Sequence, residues 1–356
     1  MTPKERFLMA VRGGQPDRVP VFDFLDSKKL FKHLLGHEPD SYNSIDVMAA
    51  TKMLELDAAF VTYGGVAGYD NPGAGAGKDT YKDEWGTVYK TSKYSWPVDS
   101  PIEFPIKSRE DLSRYNPPDA AKGSRLDDIA KGIELSNNEI AILGGIQGPL
   151  TTAFLLAGWE ALGYSIMEGG KLAEDIFKIS NEYYCYAAKN MIKAGVDVIC
   201  IAEDLGFEHG PFFSPKMYQK HLYPYIKELI DVVKKENVPV FFHCDGNLNI
   251  IMEDLIGLGI DCLHPIQKSA NMDLKFIKEK YGKKIALCGN VDSSNIMPFG
   301  SRLEVISETI EVIKTGAPGG GFILASDSDV RDDMPVENIL ALFETGKKYG
   351  KYPIEI

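Results

Sequence analysis

No stretch of this 356-residue chain approaches the roughly 18 consecutive apolar residues that a membrane-spanning helix needs. The opening MTPKERFLMAV also lacks the long apolar core of a secretory signal. A membrane or exported protein is therefore not expected, and the sequence reads as cytoplasmic. Clusters of one basic sign are missing too: 39 Lys and Arg stand against 51 Asp and Glu, a net charge of −12. Phosphate backbones are bound by clustered cations, so nucleic acid is not an expected partner. Cysteines are few and odd in number. Cys185, Cys200, Cys244, Cys262 and Cys288 lie mostly in apolar segments, which argues against a disulfide framework and for free thiols in a reducing compartment. Absent as well is a Gly-x-Gly-x-x-Gly turn after the first apolar run, which counts against a dinucleotide-binding doubly wound sheet.

What is present is ordinary globular usage, 44% hydrophobic and 25% charged. Thr2, Pro3 and Glu5 form the start of a helix with a T-x-x-E capping box, and Gly13 and Gly14 mark its end. Beyond it run eight apolar segments of strand character, at 18–24, 58–64, 140–147, 196–204, 238–245, 260–267, 284–292 and 321–329. Amphipathic helical patterns lie between the later ones. Continuous rather than alternating apolar runs suit parallel strands covered on both faces. The expected fold is an α/β (β/α)8 TIM barrel, one domain over residues 1–356, preceded by the N-terminal helix. One interval breaks the rhythm. Residues 65–118 hold a Gly-rich stretch, read as a mobile loop, and then TYKDEWGTVYK, read as a hairpin turning near Glu84 to Gly86. Because it follows the second strand, this insertion should sit over the C-terminal mouth of the barrel, where active sites are built.

The segment NVPVFFHCDGNLN, residues 237–249, stops abruptly in His243, Cys244, Asp245 and Gly246. In a barrel those side chains lie at the C-terminal end of a strand, with His243 and Asp245 on one face and Cys244 on the other. Other strands end alike: Gln147, Glu203 with Asp204, His264, Cys288 with Asn290 and Asp292, and Ser326 with Asp327 and Asp329. A lone buried His or Cys is more often a core residue than a ligand. Convergence of several at one mouth points to chemistry. Zinc accepts this mixture and needs three protein ligands plus an open position, which His243, His264, Cys288 and Glu203 or Asp204 could fill. The same groups without a metal can act as general acid and base, and for that role Asp204, His243 and Asp245 are the candidates. Tyr63, Gln147, Asn290 and Asp327 are the candidates for substrate contact.

Five segments carry a resemblance: TPKERFLMAVRGGQPDRVPVF, AEDLGFEHGPFFSPKMYQKHLYPYIKEL, HCDGNLNIIMEDLIGLGIDCLHPIQ, YGKKIALCGNVD and APGGGFILASDSDV. Together they resemble the uroporphyrinogen decarboxylase superfamily, nearly end to end. That resemblance implies a TIM barrel and two branches of activity, the decarboxylases and the methyltransferases that serve corrinoid proteins or thiols. The decarboxylases hold their polyanionic substrate with arginines near the first strand. Here the matching VPVFDFLDSKKLFKHLLG has none, and Asp23 and Asp26 would repel a polyanion. The methyltransferases hold zinc with a His-x-Cys pair and a further Cys near the last strand. Here Asp245 stands two residues after His243, and the last strand ends in Ser326 and Asp327. The resemblance then implies a mixed site, and an activity moving a methyl group from a small methoxylated, aromatic or other, compound to a partner corrinoid protein. Phe22, Phe24, Tyr63, Trp85 and Trp96 would supply the apolar wall. A decarboxylase of a smaller acid and a non-catalytic binding barrel are the alternatives. The sequence leaves the oligomeric state open, with a homodimer among the candidates.

Overall fold

The computed structural model describes residues 1–66, 79–92 and 96–355. Seven parallel strands form one curled sheet in the order Phe322–Ser326, Ala286–Val291, Cys262–His264, Val240–His243, Val198–Ala202, Ala141–Gln147 and Ala58–Thr62. Each coincides with one of the apolar segments. The eighth segment, 18–24, fills the gap between the two edge strands without forming a regular ladder. Val21 makes a parallel bridge to Leu324, while Leu324 donates its N–H to Pro20 O at 2.9 Å and Phe22 donates to Leu324 O at 3.0 Å. On the other side Asp57 donates its N–H to Val21 O at 2.9 Å, and the Asp57 carboxylate accepts the Val21 N–H at 2.7 Å. Pro20 has no N–H to offer, so a side chain completes what a backbone ladder cannot. The result is a TIM-barrel-like fold. The chain then adds a second parallel contact above the barrel, Leu25–Asp26 against Val330–Arg331.

Side chains alternate across the strands as the pleat requires. Ile142, Ile146, Ile199, Ile201, Phe242 and Leu324 face the helices. Phe60, Leu143, Cys200, Phe241, Cys262, Cys288 and Ile323 face inward. The N-terminal helix Pro3–Val11 has the expected capping box, with Glu5 donating its N–H to Thr2 Oγ1 at 3.1 Å and Thr2 donating to Glu5 Oε2 at 2.9 Å. Its Phe7, Ala10 and Val11 close the bottom of the inner core. Among the described residues no helix is long and apolar enough to cross a membrane. All five cysteines are free thiols.

The expected hairpin exists as Thr80–Lys82 and Val88–Lys90, and Ser100–Glu103 adds a third antiparallel strand. Its tight turn uses Gly86 at φ 90°, with the Asp83 carboxylate accepting the Thr87 N–H at 2.9 Å. Pro101 in the third strand conceals it from a propensity reading. Most of the Gly-rich stretch read as a loop, residues 67–78, lies outside the described residues. The hairpin is anchored strongly. Trp85 is buried, donates Nε1–H to Gly65 O at 2.8 Å, and packs on Tyr183 and Tyr184. Arg125 forms a two-pronged ion pair with Glu84 at 2.5 and 2.9 Å.

Candidate active site

The strands Val240–His243 and Cys262–His264 pair in parallel with His243 opposite His264, so both rings enter the barrel at one level. His243 Nδ1 lies 2.8 Å from His264 Nδ1, and the two rings stack at 5.1 Å and 26°. Phe24 meets both rings edge-on, at 5.3 and 5.2 Å. Beyond it Phe60 at 4.8 Å, then Tyr42 and Trp96, continue an aromatic path from the histidines to the insertion.

The outer nitrogen of His243 points to carboxylates. His243 Nε2 is 4.0 Å from Asp245 Oδ2, and Asp245 donates its N–H toward Asp204 Oδ1 at 3.4 Å. Asp204, His243 and Asp245 can each offer one ligand atom, all within 4.8 Å of one another. Nitrogen and carboxylate oxygen suit zinc, and three such ligands leave a position open. A further observation fits a guest at this place. Asp245 Oδ1 is shut off from solvent without a hydrogen-bond partner among the described residues. Buried polar atoms rarely stay so. The residues present therefore fit a zinc-like ion.

Acidic neighbours crowd the mouth. Desolvation, then the charges of Asp204, Asp329 and Asp327, raise the Asp245 carboxyl well above the usual range, and Arg331 opposes them. Burial, then Asp329 and Asp23, raise Asp26 in the same way. Asp23 is pushed up to about 8 by burial, although Ser326 donates both its N–H and hydroxyl to it at 2.7 and 3.0 Å. Burial lowers His243, against the pull of Asp204 and Asp329, and lowers His264 further, helped by His243.

The converging set differs from the one expected for a metal, Glu203, His243, His264 and Cys288. Of these only His243 is in the converging set, joined by Asp204, the expected alternative to Glu203. Glu203 is fully buried and spends both carboxylate oxygens on the N–H groups of Leu150 and Thr151, at 2.8 and 2.9 Å, capping the helix Pro149–Met167. Burial raises its carboxyl to about 8. Cys288 packs in the inner apolar cluster with Cys200 and Cys262, where burial raises its thiol well above the ordinary value. His264 presents Nδ1 to His243 rather than to the carboxylates. Asp204 and Asp245, expected as acid and base candidates, are the two carboxylates that lie with His243 in this group.

The residues expected to touch substrate are mostly engaged internally. Tyr63 donates its hydroxyl to Ala120 O at 2.8 Å, and Gln147 lies 3.5 Å from the Tyr184 hydroxyl. Asn290 donates to Ile266 O. Asp327 ties two loops by accepting the N–H groups of Ser293 and Lys268 at 2.7 and 2.8 Å. Sequence reasoning overlooked Arg331, whose guanidinium reaches Asp329 and Asp333 at 3.5 Å each. Its position depends on the two-residue pairing with Leu25–Asp26, a contact too short to leave a sequence pattern.

Barrel, strand-end polar groups and mouth define a class, a TIM-barrel-like protein whose polar groups converge at the C-terminal ends of the strands, where barrels build their active sites. The family follows from comparison. Residues 96–349 match the model of uroporphyrinogen decarboxylase (URO-D), and the chain belongs to that family. Among its relatives are the uroporphyrinogen decarboxylase of Prochlorococcus marinus strain MIT 9515, 27% identical over 69% of this chain and 71% of that one. The methylcobamide:CoM methyltransferase MtbA of Methanosarcina acetivorans is 22% identical over 98% of both chains. A solved methyltransferase from Methanosarcina mazei superposes with a TM-score of 0.75 at 22% identity, covering 98% of this chain and 99% of that one. That likeness supports the fold.

Proposed function

We propose that this family member is a methyltransferase that takes a methyl group from a small methoxylated compound, aromatic or other, and delivers it to a corrinoid carried by a partner protein. The observation that carries the reading is the convergence of Asp204, His243 and Asp245 beside an aromatic wall. Relatives named as methylcobamide:CoM methyltransferases, one alignable over 98% of this chain, support it. The acidic mouth formed with Asp23 and Asp26 speaks against a substrate rich in carboxylates, because unpaired buried charges of one sign cost several kcal/mol, roughly.

In this transfer the bond between oxygen and methyl carbon breaks, the corrinoid accepts the methyl group, and the electron pair stays on the departing oxygen. Such an oxygen leaves poorly unless its developing charge is met. A zinc-like ion held by Asp204, His243 and Asp245 would supply a Lewis acid there. The chain's own groups do the rest. In the absence of such an ion Asp245, whose carboxyl is raised by desolvation and Asp204, can instead hold a proton for the departing oxygen. Phe24, Phe60 and Tyr42 offer ring faces to an apolar substrate and keep water from it. Glu203 fixes the start of the helix Pro149–Met167, and Thr151 Oγ1 accepts the Asp204 N–H at 2.9 Å, which holds that carboxylate's backbone in place. The antiparallel strands Thr80–Lys82, Val88–Lys90 and Ser100–Glu103 belong to the roof of the mouth in this reading, with Trp96 against Tyr42 as one point of contact.

A decarboxylase of a small acid is the second reading, favoured by Arg331, a cation able to meet one carboxylate at the mouth. The two separate in one experiment. Purified protein is assayed for metal content, then mixed with reduced corrinoid protein and a panel of methoxylated compounds while the corrinoid spectrum is followed. A spectral change that requires a methoxylated compound is expected. Turnover of porphyrinogens or of small acids, without any spectral change, would overturn the proposal.

A further inference from the structure

His264 has no place in the ligand group, yet it contacts that group's one histidine at the ring nitrogen turned away from the carboxylates. It is fully buried, and it sits opposite His243 in the register of two adjacent strands, so neither ring can drift from the other without moving the barrel wall. Phe241 stacks on its ring at 5.5 Å and Phe24 meets it edge-on at 5.2 Å. The contact joins two nitrogens of the same kind, Nδ1 to Nδ1 at 2.8 Å. Two bare lone pairs would repel at that distance and two N–H groups would clash, so the contact holds one proton. Burial disfavours a charged ring on either histidine, and His264 Nε2, which has no partner among the described residues whether bare or protonated, selects neither arrangement. Each ring then carries one proton, and only two arrangements remain.

We propose that His264 is the positioning residue that sets which nitrogen of His243 carries the proton, and thereby whether His243 Nε2 presents a lone pair to the space between Asp204 and Asp245. With a cation in that space, His243 Nε2 must offer its lone pair. His243 then donates Nδ1–H to His264 Nδ1, and His264 carries its own proton on Nε2. With no cation, the two carboxylates draw a proton to His243 Nε2, and the contact runs the other way, from His264 Nδ1–H to His243 Nδ1. The protons balance. Two are held by the pair in both states; filling the site displaces one from His243 Nε2, shifts the contact proton from His264 to His243, and places one on His264 Nε2. Metal-bound histidines commonly give their second N–H to a carboxylate or carbonyl, which fixes tautomer and ring orientation. Here a second imidazole takes that part, and unlike a carbonyl it can also donate. The inference rests on the reading of Asp204, His243 and Asp245 as the working group, but not on the methyl-transfer reaction.

The test uses full-length protein labelled with 15N at histidine, as wild type, His264→Phe and His264→Asn, with thermal unfolding to confirm that each variant folds. Phenylalanine fills the space without a hydrogen bond. Asparagine places an amide near the position of Nδ1 and can donate or accept. The nitrogen spectrum of wild-type His243 is expected to show one tautomer without metal and the opposite one with Zn2+. His264→Phe should show mixed tautomers and bind Zn2+ at least tenfold more weakly, on the scale of 10- to 100-fold for lost partners of metal ligands. His264→Asn should restore one tautomer and most of the affinity. A wild-type affinity in His264→Phe, mixed tautomers in the wild type, or His264→Asn behaving like His264→Phe would each overturn the proposal. A wild type that binds no Zn2+, yet loses its single His243 tautomer in His264→Phe, upholds the role of His264 and removes the metal from the proposed reaction.

Discussion

Buried carboxylates occur at both ends of this barrel, and the two ends treat them differently. At the closed end Asp57 has no exposed side-chain surface. It is held by Arg6 at 2.6 Å, by Arg18 at 2.9 and 3.1 Å, and by the Val21 N–H at 2.7 Å. Asp17 also binds Arg6, at 2.6 and 2.9 Å. Burial still raises the Asp57 carboxyl, but every other influence on it is stabilising. At the open end burial raises Asp23, Asp26 and Asp245, reinforced at each by Asp329, at Asp26 by Asp23 and at Asp245 by Asp204 and Asp327, with Arg331 opposing at Asp26 and Asp245. One end is paired for stability, and the other is left short of positive charge. That division is the one barrels show generally between their two faces.

The comparison breaks first, and most visibly, at Asp57. Replacing it with Asn should cost about 3–5 kcal/mol, because Arg6 and Arg18 lose the carboxylate that compensates them in a buried place. Asp26→Asn at the mouth should be neutral or stabilising, since burial and its neighbours already disfavour the charged form of this carboxyl. Urea unfolding of the two variants measures both. Equal destabilisation would erase the distinction between the ends.

Activity should respond in the opposite place. If the mouth works as proposed, His243→Ala and Asp245→Ala slow methyl transfer by about 100-fold or more, the scale on which an electrostatic stabiliser of a departing oxygen matters. Neither change should alter the unfolding midpoint as strongly as Asp57→Asn. Single-turnover spectra of the corrinoid, at saturating methoxylated compound, give the rate. Full activity in both variants would move the chemistry away from this group.

A pH series sharpens the contrast further. Asp23 and Glu203 are held near 8 in the folded chain, above the ordinary carboxylate range of the unfolded one. Between about pH 4 and 8 the folded state therefore holds protons that the unfolded state has lost. The stability these groups contribute is complete below about pH 4 and falls as pH rises through 8, by up to about 1.4 kcal/mol per pH unit for each carboxyl. Asp23→Asn should flatten that slope by removing one of the two groups. A stability that instead rises steadily from pH 5 to 8 in the wild type, and is unchanged in the variant, would contradict the burial of these carboxyls at the mouth.

Much of this was readable in the chain itself. Seven apolar segments became strands of one sheet because continuous Val, Ile, Leu and Phe suit a doubly covered parallel strand, and the Thr2 to Glu5 capping box needs only local residues. Alternation also placed His243 and Asp245 on one face. What was not readable depended on partners distant in sequence. The 18–24 segment becomes a bridge rather than a strand because Pro20 interrupts the ladder and Asp57 replaces it. Glu203 stands beside the candidate ligand Asp204 in the sequence, yet its oxygens are taken by Leu150 and Thr151, more than 50 residues away along the chain. The 2.8 Å contact between His243 and His264 likewise follows from register, which no local spacing reveals.

Cys288 is the finest point of the comparison, because its strand end made it look like a ligand while its environment is that of the closed core. It has no exposed surface and shares the inner cluster with Ala286, Ile323 and Ala325. A metal-bound sulfur must be a thiolate, and burial, reinforced by Cys262, Asp23 and Cys200, drives this thiol away from that form. Cys288→Ala should therefore leave Zn2+ affinity within about twofold of wild type. Stability should fall by about 1 kcal/mol, the usual cost of a small loss of packing. Metal content by elemental analysis and an unfolding curve decide the matter on one preparation. Loss of zinc in Cys288→Ala, with the zinc of Asp245→Ala retained, would transfer the metal from the carboxylate pair at the mouth to the inner thiol layer. Retention in Cys288→Ala with loss in Asp245→Ala would fix the boundary between the packed interior and the working mouth at the level of the two histidines.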